Sequence, residues 1–280
     1  HRKRRKKRRK REQEALQLVR GTRETHPCIG TRKLHKMHKE RFRELGYGRD
    51  KLFDLLRKAD LLVEPPDRTV STTDSKHRFR IYENLTSDLA PEQTNEVWVA
   101  DLTYLETKEG FRYASILMDS YSRKIVGYHL LDRLTLEGPR EALKSALREA
   151  GEAAEGLIHH SDQGVQYCSA PYVSLLEEHD AKISMAAVGN PYENAKAERV
   201  IGTLKREYLL GGIFRSEEQA REALSEAVAL YNQRRPHLAL DYQTPAEVHE
   251  AAEKGAEKAA KEELSPAPAR PDAPTESSAE

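Results

Sequence analysis

The sequence predicts a mixed α/β domain, a five-stranded sheet flanked by helices, preceded by a small helical unit. Three observations carry this. Between residues 95 and 215, runs rich in β-branched and aromatic residues come three in succession and then alternate with helical runs, in the order βββαβαβα. An antiparallel meander followed by crossover connections makes a mixed sheet with helices on its faces. Ahead of it, residues 26–63 show helical periodicity on both sides of a Gly46-Tyr47-Gly48 turn. The 280 residues accommodate one large domain plus smaller appendages.

Taken in order, residues 1–20 read as a basic arm, helical by propensity from 12 to 20. Residues 21–63 read as a helix-turn-helix DNA-binding domain. One helix is expected over 31–45 and a second over 49–61. Leu52, Phe53, Leu55, Leu56 and Leu62 form its apolar stripe, and Arg49 and Lys51 face outward as DNA contacts. Residues 64–92, with Pro65-Pro66 and a Ser/Thr-rich stretch, read as a linker. The core spans 93–250 with a C-terminal helical extension. Its strands are expected at 97–105, 111–118, 124–131, 156–160 and 182–185, the first two joined by a turn at 108–110. Helices are expected at 137–150, 170–179, from near 192 onward, and 216–233. From 251 to 280 the chain is Ala/Glu/Lys-rich and then Pro/Ala/Ser-rich, and a disordered tail is expected.

The net charge of +1 conceals a gradient. Residues 2–11 carry ten positive charges, and the rest of the chain holds 37 basic and 46 acidic residues, a net of −9. Such an arm points to a polyanion partner, nucleic acid above all. No apolar run has transmembrane length and no secretory segment is visible. Cys28 and Cys168 stand far apart in a chain without an export signal, so a cytoplasmic, reduced protein is expected. The first residue is His1, which fits a fragment or a reading frame entered from upstream.

Three carboxylates are the candidate chemistry. Asp101 lies inside the first strand, where an unpaired carboxylate costs several kcal/mol to bury. Asp162 ends a later strand before Gly164, the place where open α/β sheets put their sites. Glu198 lies on a helix that also carries Lys205 two turns on along the same face. Glu193 is the local rival, near the helix start and off that face. Three acids that converge need cations, and two divalent ions roughly 3.5–4 Å apart can clamp the attacking and leaving oxygens of a phosphodiester.

The order of elements resembles the RNase H-like fold, and the motifs narrow the resemblance. Residues 95–104 (NEVWVADLTY), 159–167 (HHSDQGVQY), 194–205 (NAKAERVIGTLK), 231–238 (YNQRRPHL) with 244–249 (TPAEVH), and His26-Pro27 with 30–34 (GTRKL) resemble, in order, the integrase-core transposases of bacterial insertion sequences. More narrowly they resemble the second-frame transposase of the copy-out, paste-in group. The resemblance implies an RNase H-like core in which Asp101, Asp162 and Glu198 bind two Mg²⁺, with Mn²⁺ able to substitute. It implies nicking of element ends and strand transfer by the freed 3′-hydroxyl, with no covalent protein–DNA intermediate. Lys205 would hold a phosphate, Arg199, Arg234 and Arg235 would meet DNA, and His160 would orient Asp162 or contact DNA. Partners would be element ends and target DNA, further copies of the chain, and an upstream-frame protein or frameshift fusion. The place would be the cytoplasm, on the nucleoid when DNA-bound. Two departures stand out. Arg199-Val200 replaces the usual aromatic and small polar pair, and His26, Cys28, His35 and His38 lack the second cysteine of an integrase zinc site. The alternatives are a catalytically inactive, transposase-derived DNA-binding regulator and a nuclease of the same fold that cuts RNA–DNA hybrids.

Overall fold

The computed structural model describes residues 2–63, 79–187 and 194–263. Helices α1 (Arg2–Thr25), α2 (Thr31–Met37), α3 (Lys39–Leu45) and α4 (Arg49–Lys58) form the N-terminal unit. Ala15 and Val19, four apart on α1, close its core against Ile29, Leu34, Phe42, Leu52 and Leu56. This corrects the expected boundary at residue 20, because α1 runs on through Thr25 and its second half belongs to the unit. The single helix expected over 31–45 is also corrected. It breaks at His38 (φ −120°, ψ 33°), whose Nε2 lies 2.7 Å from the Thr22 hydroxyl of α1. A tertiary hydrogen bond thus sets a break that helical periodicity does not show.

The core follows as β1 (Val97–Thr107), β2 (Gly110–Asp119), β3 (Ile125–Leu131), α5 (Glu137–Ala150), β4 (Ile158–Ser161), α6 (Ala170–Glu177), β5 (Lys182–Met185) and α7 (Ala195–Glu207). Strand order is β3-β2-β1-β4-β5, antiparallel across the meander and parallel from β1 to β4 and β5. The expected five-stranded mixed sheet is present. A two-residue β6 (Ile213–Phe214) adds itself beside the end of β1. Alternation along β1 sorts the two faces. Trp98 and Ala100 pack with Leu143, Leu147 and Tyr172 toward α5 and α6. Val97, Val99 and Leu105 pack with Val200, Leu204 and Tyr231 toward α7 and α8 (Glu217–Arg234). Helix α5 lies so close to β3 that a Cβ on Gly127 would sit 2.4 Å from the Ala142 carbonyl oxygen.

The tail expectation needs correction. Helix α9 (Pro245–Glu263) continues well past residue 251. Ala, Glu and Lys are strong helix formers, and composition poor in large apolar residues does not by itself unwind them. The buried His249 anchors the helix, with Nδ1 2.9 Å from the Ser122 hydroxyl and Nε2 3.1 Å from Glu253. Residues 79–92 hold no helix or strand, and the rest of the expected linker (64–78), Glu193 and the end of the tail (264–280) lie outside the described residues. Among the described residues no helix is long and apolar enough to cross a membrane, and both cysteines are free.

His159 makes the core acid-labile. It is buried on β4, with Nε2 2.9 Å from the Tyr172 hydroxyl. Burial, and then the neighbouring His160, push its pKa from 6.5 down to about 3. The folded chain therefore binds fewer protons than the unfolded one between those values. The stabilisation is present above pH 6.5 and is lost as pH falls toward about 3. His159→Gln, which keeps a partner for Tyr172 but cannot titrate, is expected to flatten the fall of the thermal midpoint below pH 6.5. Parallel slopes for the two proteins would place the acid lability elsewhere.

Candidate active site

Asp101 stands on β1 opposite Ile116 and two residues beyond the Val99–His160 pair, so β4 delivers Asp162 to the same end of the sheet. The Asp101 carboxylate accepts the Leu102 N–H at 2.7 Å. Burial first, and then the negative charges of Asp162 and Glu198, raise its pKa from 3.8 to about 7 against the opposing Leu102 N–H and Lys205 ammonium. The three acids therefore share one electrostatic neighbourhood.

Asp162 is held by the turn that follows it. Its Oδ1 accepts the Gly164 N–H at 3.0 Å, and a Cβ on Gly164 would sit 2.9 Å from that oxygen. Only glycine lets the backbone approach the carboxylate so closely. Tyr167, at the end of this segment, is buried against His159 and Tyr172, and the charges of Asp162 and Asp101 help raise its pKa, after burial and Tyr172.

Glu198 lies exposed in the first turn of α7. Asn194 ties that turn to β1. Its side-chain amide donates to the Ala100 carbonyl at 3.4 Å, and its own carbonyl accepts the Glu198 N–H at 3.1 Å. Two turns later Lys205 reaches back over the sheet, its ammonium 4.1 Å from the centre of the Tyr104 ring. Tyr104 in turn meets the exposed Phe111 edge-on. The pair Tyr104/Phe111 and the hinge residue Asn194 were not singled out by the sequence.

The other expected contacts separate. Lys51 lines a cavity of ≈ 650 Å³ between α1 and α4 with Lys7, Arg8, Arg11 and Lys58. Arg49 is exposed and pairs with Asp50 at 2.9 Å. Arg199 and Arg234 are exposed on α7 and at the end of α8. Arg235 is not at the surface. Its guanidinium is buried and grips Glu207 through Nε (2.8 Å) and Nη2 (2.9 Å), so the expected DNA contact at Arg235 is corrected to a structural ion pair. His160 is also buried. Its Nδ1 meets the hydroxyls of Ser184 (2.8 Å) and Thr86 (3.2 Å), which places it in the packing around β4 and away from a DNA surface. His26 meets Tyr208, His35 stacks on Phe42 and His38 meets Thr22, so that cluster is packing.

The donor set near Asp101 is all carboxylate, the kind hard divalent cations prefer. A half-buried acid whose ionisation two neighbouring acids oppose fits a site that takes up positive charge. Among the described residues, no three His, Cys, Asp or Glu side chains are gathered closely enough to hold an ion as they stand.

Comparison with known proteins follows the same lines. The integrase core domain family matches residues 91–191, and a second integrase core domain description matches 179–245. The chain is 38% identical over 231 residues to an uncharacterized 31 kDa protein of insertion element IS600 from Shigella sonnei, covering 82% of this chain and 83% of that one. It is 39% identical over 152 residues to the transposase for insertion sequence element IS904 from Lactococcus lactis subsp. lactis (strain IL1403), covering 54% of this chain and 60% of that relative. Among solved structures it resembles the HTLV-2 integrase catalytic core domain in complex with magnesium, with a TM-score of 0.44 and 18% identity over 57% of this chain and 99% of that one.

Proposed function

Since the chain belongs to the insertion-sequence transposases with an integrase-type core, we propose that it nicks the ends of its element and joins the freed 3′-hydroxyl to target DNA. The observation that carries this is the Asp101 carboxyl, half-buried on β1 and kept hard to ionise by desolvation and by Asp162 and Glu198. Asp101, Asp162 and Glu198 would hold two divalent ions, Mg²⁺ or Mn²⁺. Such ions, when bound, activate the attacking oxygen and stabilise the leaving one. In the first step water attacks the phosphorus, the bond to the 3′-oxygen breaks, and a 3′-hydroxyl and a 5′-phosphate remain. In the second that 3′-hydroxyl attacks a target phosphodiester, so one P–O bond forms as another breaks.

The chain's own residues bind and orient. Lys205, on the Asp101 side of α7, pairs with a non-bridging phosphate oxygen. Asn194 fixes the turn that presents Glu198. The basic cavity between α1 and α4, together with Arg49, Arg199 and Arg234, holds backbone phosphates. The N-terminal unit serves as the DNA-binding domain, and copies of the chain assemble on the two ends. The test is an assay of nicking and joining on element-end DNA with Mg²⁺ or with chelator. Metal-dependent 3′-hydroxyl formation followed by joining is expected. Tight binding with no cleavage under any metal would leave a DNA-binding regulator, and cutting confined to RNA–DNA hybrids would make the chain a nuclease.

A further inference from the structure

A second basic cavity, of ≈ 660 Å³, opens at the foot of α7. Arg123, from the turn between β2 and β3, and Lys196, from the first turn of α7, line it, with Leu238, Asp241 and Gln243 on another wall. Lys196 donates to the Ser120 hydroxyl at 2.6 Å. Neither cation forms an ion pair among the described residues. Asp119, whose charge reaches both cations, is fully buried and already accepts from the Asn95 and Ser122 N–H groups and the Ser122 hydroxyl, and the one acid in the lining, Asp241, is exposed. Arg123 is half-buried and Lys196 lies exposed at the rim. Burial lowers both pKa values; for Arg123 the charges of Tyr231 and Asp119 oppose it and Arg199 adds to it, and for Lys196 the charge of Arg123 adds to it and that of Asp119 opposes it. Lys196 also sits at the positive end of a helix dipole, where a cation is disfavoured.

The backbone adds a second cost. Arg123 has φ +65°, the left-handed region in which any side chain beyond glycine is strained. Strain and unpaired like charge meet at one cavity. Such conformations persist where the surroundings impose them, and they cluster at functional sites.

We propose that Arg123 and Lys196 form a phosphodiester site that grips a stretch of DNA backbone away from the carboxylate cluster. At 100° per residue, Lys196 lies on the side of α7 opposite Glu198 and Lys205, with Arg199 between the two sides. DNA bound there runs past the far side of the helix that carries Glu198, so α7 is held between two phosphate contacts. The choice of DNA over a free anion rests on the transposase reading above.

Full-length Arg123→Gly, Lys196→Gln and the double variant are compared with the parent in binding to a random-sequence duplex. Binding is read by fluorescence anisotropy, in chelator, across a range of salt. Each lost contact is expected to flatten the slope of log affinity against log salt by about 0.9. Arg123→Lys should keep the parental slope. Glycine suits φ +65°, so the thermal midpoint of Arg123→Gly should not fall, which keeps weaker binding from being mistaken for unfolding. If it does fall, the exposed Lys196→Gln carries the test alone. Parental slopes in all variants would overturn the site. So would parental slopes combined with protection of the parent's thermal midpoint by inorganic phosphate that the variants lose, which would make it a free-anion site. Both results would leave metal-dependent nicking intact, whereas absence of nicking in the parent would strike the transposase reading and not this site.

Discussion

Asp101→Asn, Asp162→Asn and Glu198→Gln are each expected to remove nicking and joining while DNA binding persists. A divalent ion supplies several kcal/mol of transition-state charge stabilisation, and about 4 kcal/mol corresponds to on the order of 10³-fold in rate. A second readout does not need DNA. The Asp101 carboxyl has a folded-state pKa of about 7 against an ordinary 3.8. The folded chain therefore holds a proton that the unfolded chain has released across that window. The stabilisation is fully present below pH 3.8 and is lost as pH rises through about 7. Asp101→Asn removes the repelling charge, so without metal it should match or exceed the parent's thermal midpoint above neutral pH. Mg²⁺ should raise the parent's midpoint more in alkaline than in mildly acid buffer, and should do little for the Asn variant. Undiminished nicking in any of the three variants would remove that residue from the catalytic set.

Much of this was legible because strands and helices announce themselves by period. The meander β1–β3 and the helix at 137–150 follow from alternation and from apolar positions three and four apart. Asp101 stood out because a carboxylate inside an apolar strand needs a reason, and Lys205 because seven residues make two turns from Glu198. Features set by tertiary contact did not show. The break at His38 depends on Thr22, sixteen residues earlier. The two-residue β6 is too short for any pattern. The helix beyond residue 251 is masked by a composition poor in large apolar residues, although Ala, Glu and Lys favour helix. Arg234 and Arg235 look alike in the sequence, and only the fold turns one outward and buries the other on Glu207. Nor does any local pattern mark Arg123 for positive φ, since arginine does not favour that region.

Glu207→Ala is expected to cause the largest loss of stability, because one carboxylate joins the N-terminal unit to the core. Glu207 ends α7, the helix that carries Glu198 in its first turn. It accepts from Lys33 of α2 at 2.7 Å and from Arg235 at 2.8 and 2.9 Å, and its backbone carbonyl accepts the Cys28 N–H at 3.3 Å. The two cations share it unequally. Glu207 is held below its ordinary pKa because the hydrogen-bonded Arg235 and then Lys33 outweigh the opposing effect of burial. Lys33 is nonetheless pushed down, since burial and the charge of Arg235 exceed what the shared carboxylate returns. Arg235 is thus the principal partner and Lys33 the surplus cation. Removing the carboxylate strands both cations and should cost about 3 kcal/mol, the low end of the range for a broken buried pair, because Lys33 and Glu207 keep some contact with water. Lys33→Met should cost far less. Glu207→Ala combined with Arg235→Met should be less damaging than the single carboxylate deletion, since no buried guanidinium is then left unpaired. Urea unfolding of these variants and of Arg235→Met alone tests this ordering. If the double variant loses as much as its two parts added together, buried charge is not what makes Glu207 matter. The backbone bond to Cys28 and the packing of Tyr208 would then be what joins the N-terminal unit to the core.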